Sequence, residues 1–193
     1  MSAGEEERGP PGADLERYLR ELAEFVGLDE TDASAIRASA PAVLKHEGAL
    51  TSALYEHFLR FPATARFFLG PDGAPDRTRI DRRKHSLARW LRETAQAALT
   101  HDFAYYLLSI GLAHSHRDYG PGGKIPPQFM VAAMSLTQTA LASIFRDELG
   151  DPEKALAASG AWNKLLLLHL NVLLIGYLLP PRTTAGPSAR PSD

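Results

Sequence analysis

The 193-residue chain has no cysteine, which removes disulfides, thiolate metal sites, iron–sulfur clusters and thiol nucleophiles together. Histidine and carboxylate are the strong metal ligands that remain. A basic excess is also lacking: 21 Lys and Arg stand against 23 Asp and Glu, a formal charge of −2, so there is no electrostatic footprint for nucleic acid. No glycine-rich phosphate loop follows a strand pattern, and no serine sits in a nucleophile elbow or beside a paired base. No stretch alternates apolar and polar residues as a strand does, and no internal repeat is visible. The N-terminus, "MSAGEEERGPPGAD", has no apolar run and is not a signal peptide. The most apolar run, Leu165 to Leu179, is fifteen residues long and contains His169 and Asn171. A membrane span needs roughly 20 apolar residues, so this run reads as a buried core helix, with no span and a cytoplasmic location expected.

What the chain does have is helical periodicity. Leu15 to Val26 repeats leucine and aromatic residues at helical spacing before Gly27. The segment "DETDASAIRASAP" offers Asp and Thr caps to a second helix, which Pro41 is expected to stop or kink. A third helix is expected from Ala42 to Arg60, with Leu50, Leu54, Tyr55, Phe58 and Leu59 on its inner face. "FPATARFFLG" predicts a proline-started helical turn carrying Phe61, Phe67 and Phe68. A long helix follows from Arg77 to Leu99, basic at first and apolar later. "GPGGKIPP" reads as a flexible break, before a helix over Gln128 to Phe145 and a last one, capped by Asp151, to about Leu179. The fold class is all-α with seven or eight helices. Residues 1–11 are expected as a disordered leader, 12–180 as one domain and 181–193 as a disordered tail. The last two helices expose more apolar surface than one chain needs, which predicts a homodimer through them.

The most informative stretch is Phe103 to Gly120, "FAYYLLSIGLAHSHRDYG". Phe103, Leu107, Ile110 and His114 fall at i, i+4, i+7 and i+11, one apolar stripe that ends on an imidazole. Gly111 lies one turn before His114 and leaves room beside it. His116 lies two residues on, and residues two apart do not share a helix face. A neutral histidine aimed from an apolar face over a glycine gap suits a metal held in a large flat cofactor, as a haem iron takes its proximal ligand. The plainer arrangement is a core histidine bonded to a neighbouring carbonyl, and the stretch alone does not separate the two.

Four segments together resemble the protoglobins and the sensor globins that head bacterial aerotaxis transducers and globin-coupled diguanylate cyclases. "IGLAHSHR", Ile110 to Arg117, is similar to the family's signature around the proximal haem ligand. "LYEHFLRFPATARFF", Leu54 to Phe68, is similar to the helix of the distal tyrosine and the turn after it. "DRRKHSLARWL", Asp81 to Leu91, resembles the distal helix, and "IPPQFMVAAM", Ile125 to Met134, the proline-led helix that begins the dimerising pair. The resemblance implies a globin-like fold with an extra N-terminal helix, haem b as cofactor, and His114 as the iron ligand, ahead of His116. It implies Tyr55 as the distal tyrosine and Ser86 as a distal-helix hydroxyl, against a solvent-facing serine. Trp90 walls the haem or fills the core, Phe67 or Phe68 packs on the porphyrin, and Phe129 and Met130 line its edge, with Leu107, Ile110 and Gly111 around the ligand. After the histidine the chain departs from the sensor globins: "SHRDYGPGGKIPP" is longer and more polar, as in protoglobins, and leaves the register of Arg117 to Pro126 open. The basic cluster Arg77 to Lys84 reads as a solvated helix start, one or two of whose cations are available to haem propionates; His46 and His57 are expected in water. The function so implied is reversible binding of O2, CO and NO as a gas sensor or carrier. No transmitter follows Leu179, so a separate signalling partner is expected. The rival readings are a haem enzyme, NO dioxygenase or peroxidase-like, and a haem-free helical regulator.

Overall fold

A computed structural model describes residues 11–96 and 100–180. They form eight α-helices: α1 (Pro11–Phe25), α2 (Glu30–Lys45), α3 (Glu47–Arg60), α4 (Pro62–Ala65), α5 (Arg77–Thr94), α6 (His101–His116), α7 (Pro127–Glu148) and α8 (Pro152–Leu178). Short 3-10 turns cover Arg66–Phe68 and Gly120–Gly122. The described residues contain no strand, only an isolated bridge between Leu69 and Pro75. Residues 1–10 of the expected leader, the expected tail 181–193 and the end of the helix expected to reach Leu99 lie outside the described residues.

Short polar side chains set the helix starts. Asp29 accepts from the Asp32 backbone N–H at 3.0 Å while Asp32 accepts from the Asp29 N–H at 3.2 Å, a reciprocal cap that begins α2. Asp76, Thr100 and Asp151 accept first-turn N–H groups of α5, α6 and α8 in the same way. Each such cap contributes about 1 kcal/mol. Of the two courses expected at Pro41, the helix does not stop: α2 runs through it to Lys45. The proline removes one helical N–H, but Ile36, Ala40 and Val43 are buried on both sides of it, and that packing carries the helix on. The interruption falls instead at His46, with φ −100° and ψ 5°, so α3 starts at Glu47 and not at Ala42.

α8 is the central helix and packs on α6, α7 and α2. Leu165, Leu166, Leu168, Val172 and Leu173 are all buried, each leucine stabilising by roughly 1.5–3 kcal/mol. By length and composition α7 and α8 are each apolar enough to cross a membrane, and in α8 the apolar side chains form the core between neighbouring helices. Its polar residues are mostly satisfied. Asn171 accepts from the Tyr18 hydroxyl, Lys164 reaches Asp32 at 2.7 Å and the Gly27 carbonyl at 2.8 Å, and Trp162 Nε1 donates to Ser39 Oγ at 2.9 Å. His169 differs: it is fully buried, and neither ring nitrogen has a partner among the described residues.

Two glycine pairs mark close approaches. A Cβ on Gly111 would stand 2.0 Å from the Leu173 carbonyl oxygen, and one on Gly176 would stand 2.5 Å from Gly111 C and Leu112 N. α6 and α8 therefore cross backbone on backbone. The segment read as a flexible break is likewise a packed loop. A Cβ on Gly120 would meet the Leu69 carbonyl oxygen at 2.8 Å, and one on Gly122 would meet the Phe67 ring at 2.5 Å. Its glycines serve contact with the Arg66–Leu69 turn, and Tyr119 and Ile125 are buried beside them.

Candidate functional site

On the face of α6 away from the α8 crossing lies a cavity of about 680 Å³, within the ~300–1,000 Å³ of small-molecule and cofactor sites. α3 and the following turn supply Leu54, Tyr55, Phe58, Phe67 and Phe68; α5 supplies Ser86, Leu87 and Trp90. Across from them stand Ile110 and His114 of α6 and Phe129, Met130 and Met134 of α7. Nine of the residues singled out from the sequence thus share one cavity: Tyr55, Phe67, Phe68, Ser86, Trp90, Ile110, His114, Phe129 and Met130.

Two do not. Leu107 is fully buried in the main core among α6, α8 and α1 neighbours. Gly111 was expected to leave space beside the ligand; the α8 backbone occupies that space instead. The reason is geometric: consecutive residues of a helix are about 100° apart, so Ile110 and Gly111 look in different directions. Ser86 stands exposed where the cavity opens, its hydroxyl donating back to the Arg82 carbonyl at 3.1 Å.

His114 has the geometry of a one-sided ligand. Its Nδ1 lies 2.7 Å from the Ile110 carbonyl oxygen, where only an Nδ1–H can bond, so Nε2 keeps its lone pair. Burial holds the imidazole below the ordinary histidine value, with the Ile110 carbonyl working against it and the Arg83 charge adding to it. The ring is neutral near pH 7, the form that coordinates a metal. His116 lies off the cavity, its Nδ1 2.6 Å from Ser115 Oγ and 3.2 Å from the Leu112 carbonyl.

Tyr55 is buried, with its ring edge-on to Phe58 and Phe68 at 5.7 and 5.4 Å. Burial raises its phenol above the ordinary value of 10, so the hydroxyl stays a donor. No protein group among the described residues accepts its hydrogen. Trp90 is also buried, its indole N–H without a partner among the described residues and its ring 6.2 Å from His169.

Sequence reading missed several residues of the site. Tyr119, from the segment of open register, lies stacked on His114 with ring centroids 5.5 Å apart. The basic cluster read as a source of propionate partners does reach the cavity: Arg79 and Arg83 both border it, Arg83 4.7 Å over the Tyr119 ring and Arg79 bonded to the Leu69 carbonyl and Asp76. His57, expected in water, is half-buried on the cavity wall beside Phe61 at 4.8 Å. Its position three residues after Leu54 was the signal that it shares the inner face. His46, also expected in water, is half-buried with Nε2 2.6 Å from the Glu148 carboxylate.

Among the described residues no three His, Asp or Glu side chains converge as a metal site. A lone imidazole holds a metal firmly only when the other ligands arrive with it, as the four nitrogens of a porphyrin do. An apolar cavity with one free nitrogen fits such a group.

A family model described as Protoglobin matches residues 15–180. Among solved structures, the globin domain of a Geobacter sulfurreducens globin-coupled sensor is similar, with a TM-score of 0.66 at 19% identity, covering 82% of this chain and 96% of that one. At that identity the likeness concerns the fold. No curated protein matches the chain.

Proposed function

We propose, on the premise that this chain belongs to the protoglobin family and folds as a globin domain, that it holds a haem on His114 and reversibly binds O2, CO and NO. The observation that carries this reading is the His114 ring, whose Nδ1 is tied to the Ile110 carbonyl while Nε2 is left for a ligand beside an apolar cavity of about 680 Å³. The residues present fit the group. With no cysteine to form thioether links, the haem is held without covalent attachment, which agrees with haem b. When bound, a haem supplies an iron with one open position for a diatomic gas.

The chain's own residues do the rest. His114 would bind through Nε2, its tautomer set by the Nδ1–H bond to the Ile110 carbonyl. Tyr55, a buried donor with no protein acceptor among the described residues, offers its hydroxyl hydrogen to a ligand in the distal space. Phe67, Phe68, Trp90, Phe129 and Met130 line the cavity and would pack against the ring and exclude water from it. Arg79 and Arg83 bring positive charge to the cavity wall, suited to propionate carboxylates. The exposed Val131, Leu156 and Leu167 on the last two helices support a homodimer through α7 and α8. The same reading makes the protein a cytoplasmic gas sensor or carrier and not an enzyme.

The test is absorption spectroscopy of ferrous and CO-bound protein, wild type and His114→Ala. A Soret band that shifts with CO in the wild type and is lost or altered in the variant is expected. A colourless wild type with haem supplied removes the reading.

A further inference from the structure

We propose that Tyr119 is a positioning residue for His114, fixing the angle at which the imidazole plane stands over the cavity. The proposal rests on His114 as the iron ligand. One hydrogen bond, Nδ1–H to the Ile110 carbonyl, sets the tautomer and the direction of Nε2. It leaves the ring free to swing, because hydrogen-bond angles tolerate about 30° of bending. A flat surface against the ring removes that freedom, and Tyr119 is that surface: its ring centroid lies 5.5 Å from that of His114 with an interplanar angle of 26°.

Tyr119 is itself held firmly. Its backbone N–H donates to the Gly123 carbonyl at 2.8 Å, and its carbonyl accepts from Gly122 at 3.1 Å. The Ile125 N–H donates to the His114 carbonyl at 3.1 Å, which ties the end of the loop to the ligand's own residue. Gly120 and Gly122 seat the loop on the Arg66–Leu69 turn, and the Arg83 guanidinium lies over the Tyr119 ring. Only 5% of Tyr119 is exposed.

The hydroxyl does not explain the residue. It is buried without a partner among the described residues, as is that of Tyr177, whose phenol feels Tyr119 electrostatically. An unpartnered buried hydroxyl destabilises a fold, so the ring face is the part of Tyr119 that the site uses. A tyrosine that merely filled space under the loop would make stability depend on position 119 and leave the imidazole angle unaffected.

The experiment uses the full chain loaded with haem, in the ferric cyanide state, read by proton NMR. The order and spread of the shifted haem methyl resonances report the angle of the axial imidazole plane. Tyr119→Phe keeps the ring face and is expected to keep the wild-type pattern. Tyr119→Leu loses the face and is expected to change the order or compress the spread. Tyr119→Met keeps bulk without a flat face and takes its place if the leucine variant does not fold. A wild-type pattern in the Leu or Met variant overturns the proposal while a normal Soret band leaves the haem reading standing. A wild type with no Soret band overturns that reading, and this proposal with it.

Discussion

The two sides of α6 are built in opposite ways. Towards α8, Gly111 and Gly176 bring two backbones into contact and leave no room even for a methyl group. On the other side, Ile110 and His114 face aromatic residues of α3 and α5 across about 680 Å³ of space. Each side also has a histidine, half-buried on the cavity side and fully buried on the other. His114 has one nitrogen bonded and one free; His169, in the packed core behind Trp90 and Phe103, has neither bonded among the described residues. A rigid crossing behind α6 and an open wall before it are what the proposed site needs if His114 is to stay put while a cofactor enters. Burial alone does not suit a histidine to a ligand's role; the role proposed for His114 rests on one satisfied nitrogen and an adjoining cavity.

The largest expected effect breaks the crossing. Alanine favours a helix over glycine by about 1 kcal/mol, so if Gly111 faced open space, Gly111→Ala would stabilise. Facing the Leu173 carbonyl at 2.0 Å, it must push α8 away and is expected to destabilise by about 3 kcal/mol or more, read by urea denaturation. A stabilised variant would return Gly111 to the cavity.

Acid acts next, and on the other histidine. Burial alone lowers His169 from an ordinary 6.5 to about 3. In that window the unfolded chain takes up a proton that the folded one refuses. Its contribution is complete above pH 6.5 and is lost as pH falls towards 3, by about 1.4 kcal/mol per pH unit. His169→Leu is expected to flatten the acid limb of a plot of unfolding free energy against pH. Parallel limbs for variant and wild type would show that His169 protonates without unfolding.

Tyr55→Phe is a smaller perturbation, confined to the cavity side. Loss of one hydrogen bond to a partly charged acceptor removes roughly 1.5 kcal/mol, so O2 dissociation measured by stopped flow is expected to quicken about tenfold. An unchanged rate would take Tyr55 out of the distal space. Smallest is Ser86→Ala. The hydroxyl already bonds the Arg82 carbonyl, so the O2 dissociation rate is expected to stay within about twofold, as for a substitution of under ~0.5 kcal/mol. A larger change would mean that Ser86 turns inward when the site is filled.

Much of this was legible in the chain. The periodicity of "FAYYLLSIGLAHSH" put His114 at the end of an apolar stripe, and Leu54, Tyr55 and Phe58 on the inner face of their helix. Capping residues and prolines located the starts of α2, α5, α7 and α8 within a few residues. Those are local signals, set by a 3.6-residue repeat and by side chains that bond their own backbone. Tyr119 was not legible, because its place depends on a loop whose glycines look the same whether they serve mobility or contact. Nor was the course of Pro41, whose effect on α2 depends on what packs around it.

By itself, then, the amino-acid order determined an all-helical chain without thiol chemistry, and a short list of residues from which a site is made. Tertiary structure alone decided the rest: that Gly111 belongs to a helix crossing and Ile110 to a cavity, that His57 lies on the cavity wall and His116 off it, and that Tyr119 comes to rest on His114. The physical reason is that periodicity fixes directions around one helix axis, whereas a site needs directions from several axes to converge. Convergence depends on how closely those axes approach, which here is set by glycines far apart in the chain, Gly111 with Gly176 and Gly120 with the Leu69 turn.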